Sequence, residues 1–358
     1  MYQASELELN KLLSIVLERN ASDLHLITGE PPIIRVDGVL TKLDGYEVLN
    51  NETVSSMADL MLSPEQREVF KKQMDVDVAY SFKDNNRFRV NVYRQKGQVA
   101  AAFRHIPNRI KTIEELNLPQ GLLAFTQHKQ GLVLVVGPTG HGKSTTLASL
   151  IDNINHSRAD HILTIEDPVE FVFTPDRSII NQREVYIDTP SFAEALRASL
   201  REDCNVILVG EMRDYESIST VLTLAETGHL VFATLHTNDA GQSIDRIVDV
   251  FPANQQSQVK TQLANVLHGI VSLRLLPKVG GGRVPACEIL TSTNAVRNVI
   301  REGKTFELDN IVHTSGEEGM IALDKSLGNL VAQGLVSVED ALPNVKDVDY
   351  FKSIAAAQ

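Results

Sequence analysis

The sequence predicts an α/β protein built on a mainly parallel sheet and preceded by a smaller α+β domain. Three observations predict it. The stretch 131–146, GLVLVVGPTGHGKSTT, passes from an apolar β-type run through a glycine-rich loop into a helical pattern. Apolar runs at 132–136, 161–165, 206–209 and 230–234 alternate with helical spacing, the rhythm of strands covered on both faces. Ahead of them, shorter segments of period two follow the order βαβββ, which describes a sheet with one buried and one wet face.

Taken in order, residues 4–19 place Leu7, Leu9, Leu12, Leu13, Ile15 and Val16 at mostly helical spacing, with Ser5 as N-cap. Residues 22–40 alternate, turn at 29–32, alternate again and turn at Asp37-Gly38, the pattern of a β-hairpin. A helix is expected over 51–72, then strands at 75–82, 87–94 and 98–104. Residues 107–130 hold two prolines and a short Leu-rich segment without strand pattern. They are expected to link a domain at 1–106 to one at 131–358. After about residue 251 the chain is expected to be mainly helical, apart from a hairpin around Gly280-Gly281-Gly282 followed by a strand at 284–290. The final SIAAAQ is expected to fray.

Composition narrows the function. The 358 residues carry a net charge of -12, so the overall field repels phosphate backbones and disfavours nucleic acid as the main partner. The N-terminus lacks a secretory pattern, and no stretch approaches the roughly 18 apolar residues of a membrane span. A cytoplasmic protein without a transmembrane segment is expected. Cys204 and Cys287 belong to no C-x-x-C pair, so both are expected to be buried structural thiols.

The loop at 137–144 fits G-x-x-x-x-G-K-[ST] at every fixed position. Binding a triphosphate needs backbone N–H groups turned inward, and glycines at 137, 140 and 142 permit the close approach. Lys143 supplies a mobile cation for the β- and γ-phosphates, Ser144 a hydroxyl ligand for Mg²⁺, and the helix start a positive dipole end.

Ligands of an open parallel sheet gather at the carboxyl ends of the strands, so the residues just after each apolar run come next. After 161–165 stands Glu166-Asp167-Pro168-Val169-Glu170; after 206–209 stands Glu211, placed to bind Mg²⁺ through water or to orient the attacking water. His236 follows the fourth run and His229 precedes it, each either a structural histidine or a γ-phosphate sensor or subunit contact. The guanidinium that phosphoryl transfer calls for has candidates in Arg89, Arg94, Arg104, Arg197, Arg201 and Arg213.

GPTGHGKSTT (137–146), TIEDPVEF (164–171), VILVGEMRD (206–214) and GHLVFATLHTNDA (228–240) resemble, in order and spacing, the Walker A, Asp box, Walker B and His box of the secretion ATPases. The chain looks most like the branch that retracts type IV pili. ASDLHLITGEPPIIRVDG is similar to that branch's opening motif, and AVRNVIRE (295–302) to its C-terminal retraction motif. The resemblance implies a RecA-like P-loop ATPase domain preceded by a PAS-like domain, assembled as a homohexamer with ATP and Mg²⁺.

Within Walker A it assigns Gly137, Pro138, Thr139, Gly140, His141, Gly142, Lys143, Ser144, Thr145 and Thr146 to the nucleotide, with Ser144 and Glu211 on the metal. Glu166, Glu170, Glu211, His229 and His236 become catalytic candidates, and Arg89 and Arg104 stand at the matching arginine positions of the first domain. The implied work is pilus retraction through an inner-membrane platform protein, acting on pilin indirectly, from the cytoplasmic side of the inner membrane at the pilus base. Rival readings are a pilus assembly or type II secretion ATPase, and a non-motor ATP-binding regulator. His141 replaces the commoner serine of Walker A, Cys204-Asn205 replaces Pro-Asp before Walker B, and Ala233 replaces a glycine in the His box.

Overall fold

The computed structural model describes residues 2–83, 86–106 and 109–356, with the side chains of 2 and 3 set aside. The chain divides into two compact units between Arg109 and Ile110.

The first unit opens with α1 (Tyr2–Glu18), whose Leu9, Leu12, Leu13 and Val16 are buried at helical spacing. Strands β1 (Asp23–Ile27), β2 (Ile33–Val36) and β3 (Val39–Lys42) form successive hairpins, so the chain pairs again beyond the Asp37-Gly38 turn. The helix expected over 51–72 is two helices, α2 (Asn51–Met61) and α3 (Pro64–Gln73). Apolar spacing continues through the break, but Pro64 has no N–H to give and forces Ser63 into extended backbone. Ser63 then caps α3 in a reciprocal box with Gln66, a contribution of about 1 kcal/mol.

Strands β4 (Asp75–Phe82), β5 (Asn86–Gln95) and β6 (Gln98–Ile106) complete an antiparallel sheet in the order β3-β2-β1-β6-β5-β4. Alternation decides its two faces. Phe88, Val90 and Val92 of β5 and Val99, Ala101 and Phe103 of β6 join Leu24, Val54 and Met57 in the core, leaving Arg89 and Arg104 on the other face.

The second unit carries a seven-stranded sheet in the order β13-β12-β7-β11-β10-β8-β9, parallel except for β13. Its strands are β7 (Gly131–Val136), β8 (His161–Glu166), β9 (Ile179–Glu184), β10 (Val206–Val209), β11 (Leu230–Leu235), β12 (Leu267–Pro277) and β13 (Arg283–Thr291). The helices between them are α4 (Lys143–Ser157), α5 (Phe192–Ser199), α6 (Tyr215–Glu226), α7 (Ala240–Asp249) and α8 (Gln256–Val266). After β13 come α9 (Asn294–Glu302), α10 (Leu308–Thr314), α11 (Leu323–Ala332), α12 (Val338–Ala341) and α13 (Val348–Ala355).

Every residue of β7, β10 and β11 is buried. The alternate residues of β7 serve two cores: Leu132, Leu134 and Val136 face Ile218 and Leu263, whereas Val133 and Val135 face Leu147 and Ile151 of α4. This matches the α/β class with a mainly parallel sheet. The edge strand β9, IINQRE, has no apolar run and gave no signal in the sequence.

The expected linker needs correction. Pro107 and Asn108 lie outside the described residues, but from Ile110 onward the segment belongs to the second unit. Ile113, Leu118, Leu122 and Phe125 are buried in the α4-side core, the last two on a 3₁₀ helix at Gln120–Gln127. Their irregular spacing hid them from a periodicity reading, and Gly269 accommodates the ring of Phe125 where a Cβ would collide with it. Both cysteines are buried. Of the SIAAAQ end expected to fray, residues 353–355 are the helical end of α13, and residues 357–358 lie outside the described set.

Candidate active site

The phosphate loop joins the end of β7 to the start of α4. Gly137 holds φ at +141°, and a Cβ there would lie 2.7 Å from the Leu273 carbonyl oxygen, so the loop's entry admits only glycine. Gly142 precedes α4 with φ of +89°, and no side chain caps the helix. The first-turn N–H groups are therefore left for an anion. Thr145 and Thr146 lie in that first turn.

The Lys143 ammonium donates to the carbonyls of Gly137 at 2.8 Å and Pro138 at 3.0 Å and reaches His236 Nδ1 at 3.4 Å. Burial draws its pKa down, against the charges of Glu211 and Glu170. An ammonium can only donate, so Nδ1 of His236 is the acceptor there and the ring proton sits on Nε2. Nε2 lies 3.2 Å from Glu211 Oε1, and the Thr139 hydroxyl lies 3.3 Å from Nδ1. Arg213 holds the other oxygen of Glu211 at 2.7 Å. Burial pushes the Glu211 carboxyl up, but the hydrogen bonds from Arg213 and His236 and the charge of Arg213 outweigh it and keep the carboxyl below its ordinary value.

Glu166, at the end of the neighbouring β8, has the opposite environment. It is buried, accepts from the Thr164 hydroxyl at 2.7 Å and from the Glu170 N–H at 3.4 Å, and burial raises its pKa to about 7. Thr164 shares its face of β8 at the i, i+2 spacing, a signal the sequence carried and the reading of it missed. Glu166 lines one small cavity with Ser144, Phe171, Phe173, Gly210 and Thr234. Glu170 is exposed, and the Asp167-Pro168 bond between the two glutamates is cis.

The remaining candidates part company. His229 stands at the amino end of β11, its Nδ1 3.1 Å from the Leu224 carbonyl oxygen, a whole strand away from the loop. That is roughly 20 Å. The structure therefore removes it from the site, because β11 and β7 run parallel and only their carboxyl ends meet the loop. His141 accepts the Leu275 N–H at 3.1 Å through Nδ1. Among the arginines, Arg197 pairs with Glu194 and Glu216, Arg94 lies over Phe70, and Arg201 is exposed on the turn after α5. Arg89 and Arg104 lie directly opposite each other on the outer face of the first unit's sheet. Arg104 Nε lies 3.1 Å from Asp23 and Arg89 3.2 Å from Asp77.

The donor set fits a magnesium nucleotide. No cluster of three or more His, Cys, Asp or Glu that could cage a metal occurs among the described residues. Ser144 and Glu211 offer hard oxygens beside the phosphate cradle, and Mg²⁺ characteristically takes one or two protein oxygens and completes its shell from phosphates and water.

Known proteins align with this arrangement over most of the chain. The family model described as "Type II/IV secretion system protein" matches residues 3–288. The chain is 45% identical over 345 residues to the type IV pilus retractation ATPase PilT of Pseudomonas aeruginosa, covering 96% of this chain and 100% of that protein. It is 46% identical over 311 residues to a twitching motility protein of Neisseria gonorrhoeae, covering 87% of this chain and 83% of that one. It also matches the crystal structure of the pilus retraction motor PilT with bound ADP at a TM-score of 0.87 and 46% identity, covering 96% of this chain and 98% of that one.

Proposed function

The chain belongs to the type II/IV secretion system protein family, and on that premise we propose that it is an ATP-hydrolysing motor that drives retraction of a type IV pilus. One observation carries the hydrolytic half. Two carboxylates at neighbouring strand ends beside the phosphate loop have environments that push them apart, Glu211 toward the anion and Glu166 toward neutrality with a pKa of about 7. Opposed environments of this kind separate a permanent charge from a group that moves protons. Glu166 is the general base that takes the proton of the attacking water, because it lines a cavity with Ser144 beside the phosphate loop and burial raises its carboxyl to about 7. Glu211 remains charged, and with Ser144 it would hold Mg²⁺, which supplies charge neutralisation at the β- and γ-phosphates. Lys143 and the N–H groups of α4 bind those phosphates. His236 reads their state through its contacts with Lys143, Thr139 and Glu211.

Likeness along the whole chain to a retraction ATPase carries the mechanical half. The sequence AVRNVIRE lies on α9, whose Val296, Val299 and Ile300 are buried while Asn298, Arg301 and Glu302 face outward. In this reading six copies form a ring against an inner-membrane platform protein, on the cytoplasmic side at the pilus base. No helix among the described residues is long and apolar enough to cross a membrane.

Arg89 and Arg104 are the γ-phosphate arginines of the ring. In the isolated chain each guanidinium pairs with a carboxylate, Arg104 with Asp23 and Arg89 with Asp77, so this role requires them to exchange those partners for phosphate. Arg104→Ala is expected to lower kcat about 10³-fold, with nucleotide affinity little changed. Mixed rings of Arg104→Ala and Lys143→Ala subunits recover activity if the arginine acts on a neighbour's nucleotide. No recovery after verified subunit exchange places the arginine in its own subunit's site.

A deletion strain tests the whole reading. Long, immobile pili are the expected phenotype, restored to twitching by the wild-type chain and not by Lys143→Ala. Loss of pili altogether would make the chain an assembly ATPase.

A further inference from the structure

The loop that follows β11 is pinned at every residue. His236 meets Lys143 and Glu211, and the Thr237 hydroxyl bonds that of Ser243 at 2.6 Å. Asn238 offers its backbone and side-chain oxygens to Arg274 at 3.1 and 3.2 Å. Asp239 lies 3.4 Å from the Lys346 ammonium, and the Ala240 N–H donates to Glu288 at 3.0 Å. A loop so held has little slack. Displacement at its His236 end is passed to its 239–240 end.

That far end is an ionic cluster which the hydrolytic chemistry does not use. The Lys346 side chain reaches three carboxylates on three different elements: Asp239 at the start of α7, Glu288 of β13 at 3.6 Å and Asp309 of α10 at 3.1 Å. Glu288 is buried and also accepts from Ser272 at 3.1 Å. Burial works against the charge on Lys346, yet the three carboxylates together hold its ammonium above the ordinary range. The backbone continues the tie, since the N–H groups of Lys346 and Asp347 donate to the two oxygens of buried Asp324 on α11 at 2.9 and 2.8 Å. A cluster of this kind adds little net stability compared with an apolar replacement, whereas removing one partner strands the others. Its distinctive product is fixed geometry between the loop and the C-terminal helices.

We infer that Lys346 is a positioning residue for ATP hydrolysis: it fastens the 236–240 loop to α10, α11 and the segment before α13. The phosphate state felt by His236 is thereby transmitted to the C-terminal helices, and the placement of those helices feeds back on turnover. The inference rests on His236 facing the nucleotide, as proposed above.

Thermodynamic linkage makes the coupling reciprocal and supplies two independent readouts. In the first, Lys346→Met lowers kcat about five- to tenfold, the scale of a coupling residue, while the Kd for ADP with Mg²⁺ changes less than about twofold. Lys346→Arg, which keeps the charge, recovers most of the loss. In the second, amide hydrogen exchange is followed in the wild-type chain with ADP and Mg²⁺ and with a non-hydrolysable ATP analogue and Mg²⁺. Exchange at Lys346 and Asp347 is expected to differ between the two nucleotides. A Lys346→Met protein that melts earlier but keeps wild-type kcat per folded chain would overturn the inference. Identical exchange at 346–347 in both nucleotide states would overturn it as well, and that result is obtained even if the variant does not fold. A wild-type chain that binds both nucleotides without turnover would count against the hydrolytic reading alone, leaving the exchange comparison to decide the coupling.

Discussion

The two ends of β11 each carry a histidine, and the two residues meet opposite surroundings. At the amino end His229 turns its ring onto a backbone carbonyl, next to a stacked pair, His128 and His268, whose centroids lie 3.6 Å apart. Burial draws the pKa values of that pair down, and His268 Nε2 donates to the Gln130 carbonyl at 2.7 Å. At the carboxyl end His236 lies among an ammonium, a hydroxyl and a carboxylate. One edge of the sheet spends its polar side chains on satisfying backbone groups; the other aims them at each other around a helix start with uncapped N–H groups. Strand direction, more than residue type, decides which polar residue is available for chemistry.

This contrast can be broken by mutation, and the expected effects run from large to small. Lys143→Ala removes the one mobile cation of the phosphate cradle, so ATP turnover should fall by about 10²-fold or more and nucleotide binding should weaken. A steady-state assay with turnover above a tenth of wild type would move the site elsewhere. His236→Ala keeps the cradle and loses the link between Lys143 and Glu211. Its kcat should drop roughly tenfold with nucleotide Kd close to wild type, as for an interaction that strengthens only in the transition state. His229→Ala should leave kcat within about twofold and lower the melting temperature by a few degrees, since its bond to Leu224 contributes about 1 kcal/mol. If the two histidine variants had equal effects on kcat, the distinction between the edges would lose its basis.

Much of this was legible in the sequence, for reasons that differ between regions. The central strands are buried on both faces, so their apolar runs stand out, and the residues after them could be named as Glu166, Glu211 and His236. In the first unit the alternation of β5 and β6 is legible because one face is buried and the other carries Arg89 and Arg104. What escaped depends on partners remote in the chain. The polar strand β9 exists because β8 offers it an edge, and Ile113, Leu118, Leu122 and Phe125 join a core in which Gly269 leaves room for the last of them. His229 was already read at the beginning of the fourth run, but the distance of that end from the phosphate loop follows only once β11 is known to run parallel to β7. Lys346 lies more than a hundred residues from Asp239, and no local pattern foretells their meeting.

The central claim, that the carboxyl edge hydrolyses ATP with Glu166 as the base and Glu211 as the fixed charge, is tested most directly by the pH dependence of kcat in the wild type and in Glu166→Gln. A base must be ionised to act, and burial raises the Glu166 pKa to about 7. Wild-type kcat is therefore expected to rise with pH through about 7 and then level off. Glu166→Gln should bind ATP with near wild-type affinity, turn over at least about 10²-fold more slowly and lose that rise. A Glu166→Gln protein that hydrolyses ATP at more than a tenth of the wild-type rate with the same pH profile would contradict the account and transfer the base to another residue.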